Sequence, residues 1–119
     1  MRFVIPIPPV TKKNSQRIFV RNGRPFIAPS AAFTRYQSAA LWYLKPKTMI
    51  DYPVCVRCEF YMPTKRRVDL VNLLEAADDV LVKAGILADD NASIIVSHDG
   101  SRVLHDPDNP RTEIEITEV

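Results

Sequence analysis

The chain has 119 residues, of which 46% are hydrophobic, and its 16 Lys/Arg and 14 Asp/Glu give a formal net charge of +2. This length and composition fit one folded domain, residues 1–119, with one core. No apolar run approaches the roughly 18 residues of a membrane span, and the proline-broken start is too short for a signal peptide. We therefore expect a cytoplasmic protein that is neither secreted nor bound to a membrane.

The small net charge hides a strong asymmetry. Residues 1–68 carry thirteen Lys/Arg and two acids, a balance of +11, whereas residues 69–119 carry three basic residues and twelve acids, a balance of −9. Such asymmetry is typical of a polyanion-binding part beside an acidic part. Folding can equally mix the two sets into an ordinary surface, so charge alone leaves both interpretations open.

Apolar alternation, turn dipeptides and capping residues divide the chain into strands and helices. Predicted strands cover residues 3–7, 18–20, 25–28, 54–62, 92–98 and 112–117. Predicted helices run from Ala31, capped by Ser30, to about Leu44, and from Leu70 to Ala84, before Gly85. Loops cover the basic segments 11–17 and 63–68 and the segment 99–111. This order predicts an α/β fold of the α+β kind, with one mixed β-sheet and two main helices covering one face.

The second predicted helix has an apolar stripe and a polar stripe. The apolar stripe contains Leu70, Leu73, Leu74, Ala77, Val80, Leu81 and Ala84. The polar stripe contains Asn72, Glu75, Asp79 and Lys83. The ordinary interpretation of such a polar stripe is a solvated face with one Asp–Lys pair at i,i+4.

Helix geometry limits which carboxylates can share a cation. Asp69 is separated along the axis from Glu75 by roughly 9 Å and from Asp79 by roughly 15 Å. Glu75 can therefore approach a cation bound at Asp69 more easily than Asp79 can. A straight return of the chain brings Asp90 toward Asp69, which makes a metal site possible. Asp69 also suits a helix N-cap, and residues 89–91 suit a solvated turn.

Three segments carry a family resemblance. They are Arg66-Arg67-Val68-Asp69-Leu70-x-Asn72-Leu73, Ala76-Ala77-x-Asp79-x-Leu81-x-Lys83-Ala84-Gly85, and Asp89-Asp90. Together they resemble the RusA family of Holliday junction resolvases, many of which are carried by prophages. The opening residues 5–15 and the closing strand 114–116 are also similar to the family, so the resemblance covers nearly the whole chain.

The resemblance implies a small homodimeric endonuclease that binds four-way DNA junctions. It implies cleavage with Mg²⁺, for which Mn²⁺ substitutes, by symmetrical nicks in two opposing strands during DNA recombination and repair. It places catalytic and metal-binding carboxylates at Asp69 and Asp90, with Asp89 beside them as a metal ligand. Carboxylate oxygens are hard ligands that suit Mg²⁺. A two-fold dimer matches the approximate two-fold symmetry of a junction.

Two positions depart from the family pattern. The second Asp of Asp-x-Asp-Asn-Leu is Val71 here, and a Lys that is frequent one turn further on is Glu75. We expect Glu75 to supply the missing carboxylate as a catalytic and metal-binding residue, while a merely solvated Glu75 stays open. Val71 favours an alternative, a junction- or branched-DNA-binding protein with weak or no nuclease activity. A nuclease for forks or flaps is a third interpretation.

The basic loops are expected to contact phosphates, because they contain almost no acids. The predicted DNA-binding residues are Lys12, Lys13, Arg17, Lys65, Arg66, Arg67 and Asn72. His98 and His105 receive no role from the sequence. No small-molecule cofactor is expected.

Overall fold

The computed structural model describes residues 1–12, 17–28, 31–46 and 48–119, and every structural statement below concerns these residues. Two helices and seven strands form within them. The elements are β1 (Arg2–Ile5), β2 (Arg17–Arg21), β3 (Arg24–Ala28), α1 (Ala31–Leu41), β4 (Val54–Met62), α2 (Leu70–Lys83), β5 (Ile95–Ser97), β6 (Arg102–His105) and β7 (Arg111–Glu118).

The main sheet has five strands and mixed direction. β7 lies between β1 and β4 and pairs antiparallel with both. The other edge of β4 is shared by two short parallel strands, β5 at its beginning and β6 at its end. β2 and β3 form a separate antiparallel hairpin. The prediction of a mixed sheet with two helices is confirmed.

The core lies between this sheet and the helices. Val54, Val56, Cys58 and Phe60 alternate with half-buried residues along β4, so one face of the strand is fully buried. α2 contributes its own buried stripe, which consists of Leu73, Ala76, Ala77, Val80 and Leu81. Burying each large apolar side chain stabilises the fold by about 1.5–3 kcal/mol, which holds α2 firmly on the sheet. Neither described helix is long and apolar enough to cross a bilayer.

The opposite face of the sheet is polar. Arg57 lies 3.9 Å from Glu59 and 3.7 Å from Glu115, and Arg102 lies 3.6 Å from Glu59. Gly100 has φ +84°, and a Cβ there would lie 2.8 Å from the Arg57 side chain. The basic residues of this face are therefore paired with carboxylates.

Four predictions differ from the structure by two residues or more. The first strand ends at Ile5, whose carbonyl accepts a hydrogen bond from the Ile7 N–H at 2.9 Å. α1 ends at Leu41 rather than Leu44. Residues 92–94 form a turn, so the strand predicted there is reduced to β5. The predicted loop 99–111 contains β6, which has little burial of its own and depends on pairing with β4. Ser30 lies outside the described residues.

Candidate active site

Asp69 is the N-cap of α2. Its Oδ1 accepts a hydrogen bond from the Val71 N–H at 3.0 Å, and its backbone carbonyl accepts one from the Leu73 N–H at 3.1 Å. The residue has an extended backbone, with φ −99° and ψ 122°. This confirms the capping role considered from the sequence. The cap also fixes the orientation of an exposed carboxylate whose second oxygen can serve a ligand.

A cavity of about 530 Å³ opens beside Asp69 and is also lined by Arg67, Val68, Leu70 and Asn72. The guanidinium and amide groups around this carboxylate are suited to phosphate oxygens. Asp69 and two of the predicted DNA-binding residues, Arg67 and Asn72, thus line one concave surface.

Two further depressions adjoin this cavity and share Val68 with it. One, of about 500 Å³, is lined by Arg66 and Arg67 together with the segment 9–11. The other, of about 280 Å³, is lined by residues that include Lys65, Arg66 and His105. We call the three adjoining depressions the basic groove. Within it, Arg67 lines the same cavity as Asp69, and Lys65 and Arg66 line the adjoining depressions.

Lys12 ties the loop after β1 to the polar face of α2. Its Nζ donates a hydrogen bond to Asp79 Oδ2 at 2.7 Å. This bond is the main cause of a raised pKa of Lys12, to which the charges of Asp79, Glu75 and Asp90 add. Lys12 thus lies in the field of three carboxylates from α2 and the following loop. Asp79 is the member of this set that the sequence did not select.

Asp89 and Asp90 interact directly in an exposed loop. Asp89 Oδ1 accepts the Asp90 N–H at 2.6 Å, which lowers the pKa of Asp89. The pKa of Asp90 is raised, first by desolvation, then by its hydrogen bond with Asp89 and by the charges of Asp89 and Asp79. Desolvation and the neighbouring carboxylates together disfavour the charged form of Asp90, and a bound cation would offset the part that is due to repulsion.

The predicted carboxylates are suited to a divalent cation in kind and in charge, because they are hard oxygen donors that repel one another. Within the described part of the chain, no three His, Cys, Asp or Glu side chains form a group that could hold a metal ion. Glu75 and Asp90 share the neighbourhood of Lys12, whereas Asp69 lies at the start of α2, roughly 9 Å along the axis from Glu75.

A second polar pair, His98 and Asp78, was not predicted. His98 Nε2 lies 2.9 Å from Asp78 Oδ2, and His98 Nδ1 lies 2.8 Å from the carbonyl oxygen of Val56. Both ring nitrogens face acceptors, so a protonated imidazole donates to both. The pair joins α2 to β4, and the charges of Asp79 and Glu75 act on Asp78. Helical periodicity gave no signal for it, since Asp78 lies between the two stripes.

The pKa of His98 is raised, mainly by its hydrogen bond to Asp78. The pKa of Asp78 is also raised, mainly by desolvation, which the bond to His98 only partly offsets. At these two sites the folded protein therefore binds more protons than the unfolded chain, and their contribution to stability falls as pH rises. The His98 contribution is fully present below the unfolded pKa of about 6.5 and is lost as pH rises through the higher folded pKa.

We accordingly expect the free energy of unfolding to decline above about pH 6.5, as measured by urea denaturation at a series of pH values. His98→Gln should flatten this decline while retaining a side-chain donor. An identical pH slope in the two proteins would show that the pair does not govern it. His105→Gln is a matched control, because His105 is exposed on β6.

Two predicted DNA-binding residues cannot be placed in full. Lys13 lies outside the described residues, and Arg17 is described only as the first residue of β2. The remaining five are located: Lys65, Arg66, Arg67 and Asn72 in the basic groove, and Lys12 at Asp79.

Comparison with known proteins gives consistent matches. The family described as Endodeoxyribonuclease RusA matches residues 6–117. The chain is 30% identical over 90 residues to the crossover junction endodeoxyribonuclease RusA of Aquifex aeolicus (strain VF5), covering 73% of this chain and 67% of that protein. It is 37% identical over 90 residues to the proteins of that name in Escherichia coli (strain K12) and Shigella sonnei (strain Ss046), covering 72% of this chain and 70% of each.

Proposed function

The chain belongs to the RusA family of endodeoxyribonucleases, and from this premise we propose that it resolves four-way DNA junctions by paired nicks in recombination and repair. The observation that carries the proposal is the basic groove, which leads the cations Lys65, Arg66 and Arg67 to the carboxylate of Asp69. Binding a polyanion beside an acidic centre is what cleavage of a nucleic acid requires.

The groove residues position the DNA. Lys65, Arg66 and Arg67 offer charged donors to phosphate oxygens, and Asn72 offers an amide at the start of α2. Such contacts fix the register of the backbone without reading its sequence. They bring a phosphodiester to Asp69, whose own orientation is fixed by its capping bond to Val71.

RusA-family nucleases are in general metal-dependent, and we propose Mg²⁺ as the ion, with Mn²⁺ as a substitute. Asp69 and Asp90 would hold it, with Asp89 and Glu75 as further carboxylates. Because the described side chains form no complete group by themselves, waters and substrate phosphates would supply the other ligands. When bound, the ion activates water and stabilises the negative charge that develops on the phosphate. The charges of Asp89 and Asp79, which add to desolvation in raising the pKa of Asp90, support this assignment, because a cation would offset their repulsion. Lys12 adds a positive charge beside the same carboxylates.

We propose that residues 1–119 form a single endonuclease domain, which the pairing of β1 with β7 at the two ends of the chain supports. We also propose a homodimer acting in the cytoplasm, where it meets its DNA. One copy carries one set of catalytic carboxylates, and two symmetrical nicks need two sets. A two-fold dimer presents them to the two opposing strands of a junction.

The proposal is tested by incubating the purified protein with a labelled four-way junction and with a linear duplex of the same sequence, in Mg²⁺ and in EDTA. We expect nicking of the junction in Mg²⁺, none in EDTA, and much less nicking of the duplex. Equal cutting of both DNAs would contradict structure-selective cleavage.

A second function, junction binding with weak or no cleavage, is favoured by Val71, which is 65% exposed where the family has a carboxylate. The same assay separates the two functions when binding is recorded beside cleavage. Tight binding of the junction without nicking in either Mg²⁺ or Mn²⁺ would establish the second one.

Arg66→Ala with Arg67→Ala should weaken binding to junctions of any sequence and flatten the dependence of affinity on salt. The slope of log K against log salt is negative, and each lost phosphate contact reduces its magnitude by about 0.9. The measurement is a binding titration in EDTA at several salt concentrations. If both the affinity and the slope stay at wild-type values, these arginines lie off the DNA path.

A further inference from the structure

The β2–β3 hairpin stands apart from the main sheet. Its strands pair only with each other within the described residues, from Arg17 opposite Ala28 to Arg21 opposite Arg24. The turn between them is Asn22-Gly23, with φ 53° and 74°, the left-handed pair of a tight two-residue hairpin turn. The turn defines the register of the two strands.

The hairpin has an unusual charge distribution. Residues 17–28 contain three arginines and no acid. Arg21 and Arg24 lie directly opposite each other at the tip, and both are exposed. Neither is in an ion pair with any described residue, whereas exposed Arg2 and Arg102 have carboxylates within 3.6 Å. Like charges directly opposite destabilise a hairpin, so this tip is suited to an external anion.

The covalent chain limits how far the hairpin lies from the carboxylates. Lys12 is bonded to Asp79, and Arg17 follows five residues later, at most about 18 Å away. A five-residue strand then adds roughly 17 Å to the tip. The tip is therefore within about 35 Å of Lys12, which is hydrogen-bonded to Asp79, and this distance is about one turn of duplex DNA. A two-stranded ribbon also fits a DNA major groove, which is about 12 Å wide.

We propose that the β2–β3 hairpin is an arm that grips the duplex flanking the cut site, with Arg21 and Arg24 contacting its phosphates. This inference rests on the proposed action on DNA and adds a contact surface to it. The surface is separate from the basic groove in sequence and in sheet membership. It binds duplex DNA along an arm of the junction rather than at the branch point.

The test is the double variant Arg21→Ala/Arg24→Ala, studied by binding titrations in EDTA between about 50 and 200 mM salt. The matched control is Arg2→Ala/Arg102→Ala, which makes the same change in net charge at two exposed arginines paired with Glu113 and Glu59. For both the junction and the linear duplex, we expect the hairpin variant to reduce the magnitude of the slope of log K against log salt by about 1.8, which is two contacts at about 0.9 each. The control should keep the wild-type slope.

Thermal unfolding distinguishes DNA contact from a structural role. Removing two opposed like charges should leave the melting temperature unchanged or raise it, since neither arginine is buried. An unchanged salt slope overturns the inference, as does an equal slope change in the control. If the salt slope changes with the junction but not with the linear duplex, the hairpin contacts the branch point, and its assignment to a duplex arm is overturned. Wild-type cleavage of junctions is measured separately, so failure of the hairpin assignment leaves the proposed function standing.

Discussion

Asp69→Asn and Asp90→Asn are each expected to lower the nicking rate by more than about 100-fold while sparing junction binding. Loss of residues that merely orient metal ligands already reduces affinity or activity by about 10–100-fold, so loss of a ligand should do more. Binding should persist or tighten, because each change removes a negative charge that repels phosphate. The measurement is single-turnover cleavage beside a binding titration.

Asp69→Asn should remove the negative charge without disturbing the start of α2. Asn caps a helix as well as Asp does, so the hydrogen bond to Val71 and the stability of α2 should survive. Asp69→Ala should in addition lose about 1 kcal/mol of stability through the missing cap. Asp51→Asn is the control for charge, since Asp51 is exposed in the segment before β4. Wild-type nicking in either Asn variant would remove that residue from the catalytic set.

Glu75→Gln is expected to damage cleavage about as much as Asp69→Asn, if Glu75 replaces the carboxylate that the family has at position 71. Glu75 acts electrostatically on Lys12 together with Asp79 and Asp90, so its charge shares the neighbourhood of Lys12 with that of Asp90, a proposed ligand. The comparison uses the same single-turnover assay.

Val71→Asp in the Glu75→Gln background should partly restore cleavage. Val71 is 65% exposed, so an aspartate there meets no burial penalty. It also follows Asp69 by two residues at the start of α2. A fully active wild type combined with a silent Glu75→Gln would refute the compensation and leave the third ligand unidentified. Surface substitutions without a role rarely change the free energy of unfolding by more than about 0.5 kcal/mol. A loss of folded protein should therefore not account for any change in cleavage.

β4 and α2 were predictable because their patterns are strong. β4 alternates buried and half-buried residues over 54–61, and α2 has an apolar stripe between a capping Asp69 and the left-handed Gly85. The hairpin turn was equally clear from Asn22-Gly23. β6 was missed because its residues are mostly exposed and it exists only through pairing with β4, far away in sequence.

The candidate site was only partly predictable for the same physical reason. The sequence predicts Asp69, Asp90 and the basic residues of 65–67 as site residues, and in the structure those basic residues and Asp69 line adjoining depressions. It did not reveal that Asp79 holds Lys12, which is 67 positions away. Periodicity shows that a residue faces away from the core but does not identify the partner that the fold brings to it.

Mapping the cut sites on a four-way junction tests the central claim most directly. Each of the four strands is labelled in turn, and the products formed in Mg²⁺ are sized. We expect paired nicks at symmetrical positions in two opposing strands, with two nicked linear duplexes as product. Nicks confined to a single strand, or the same cuts at equal rates in a linear duplex, would contradict it.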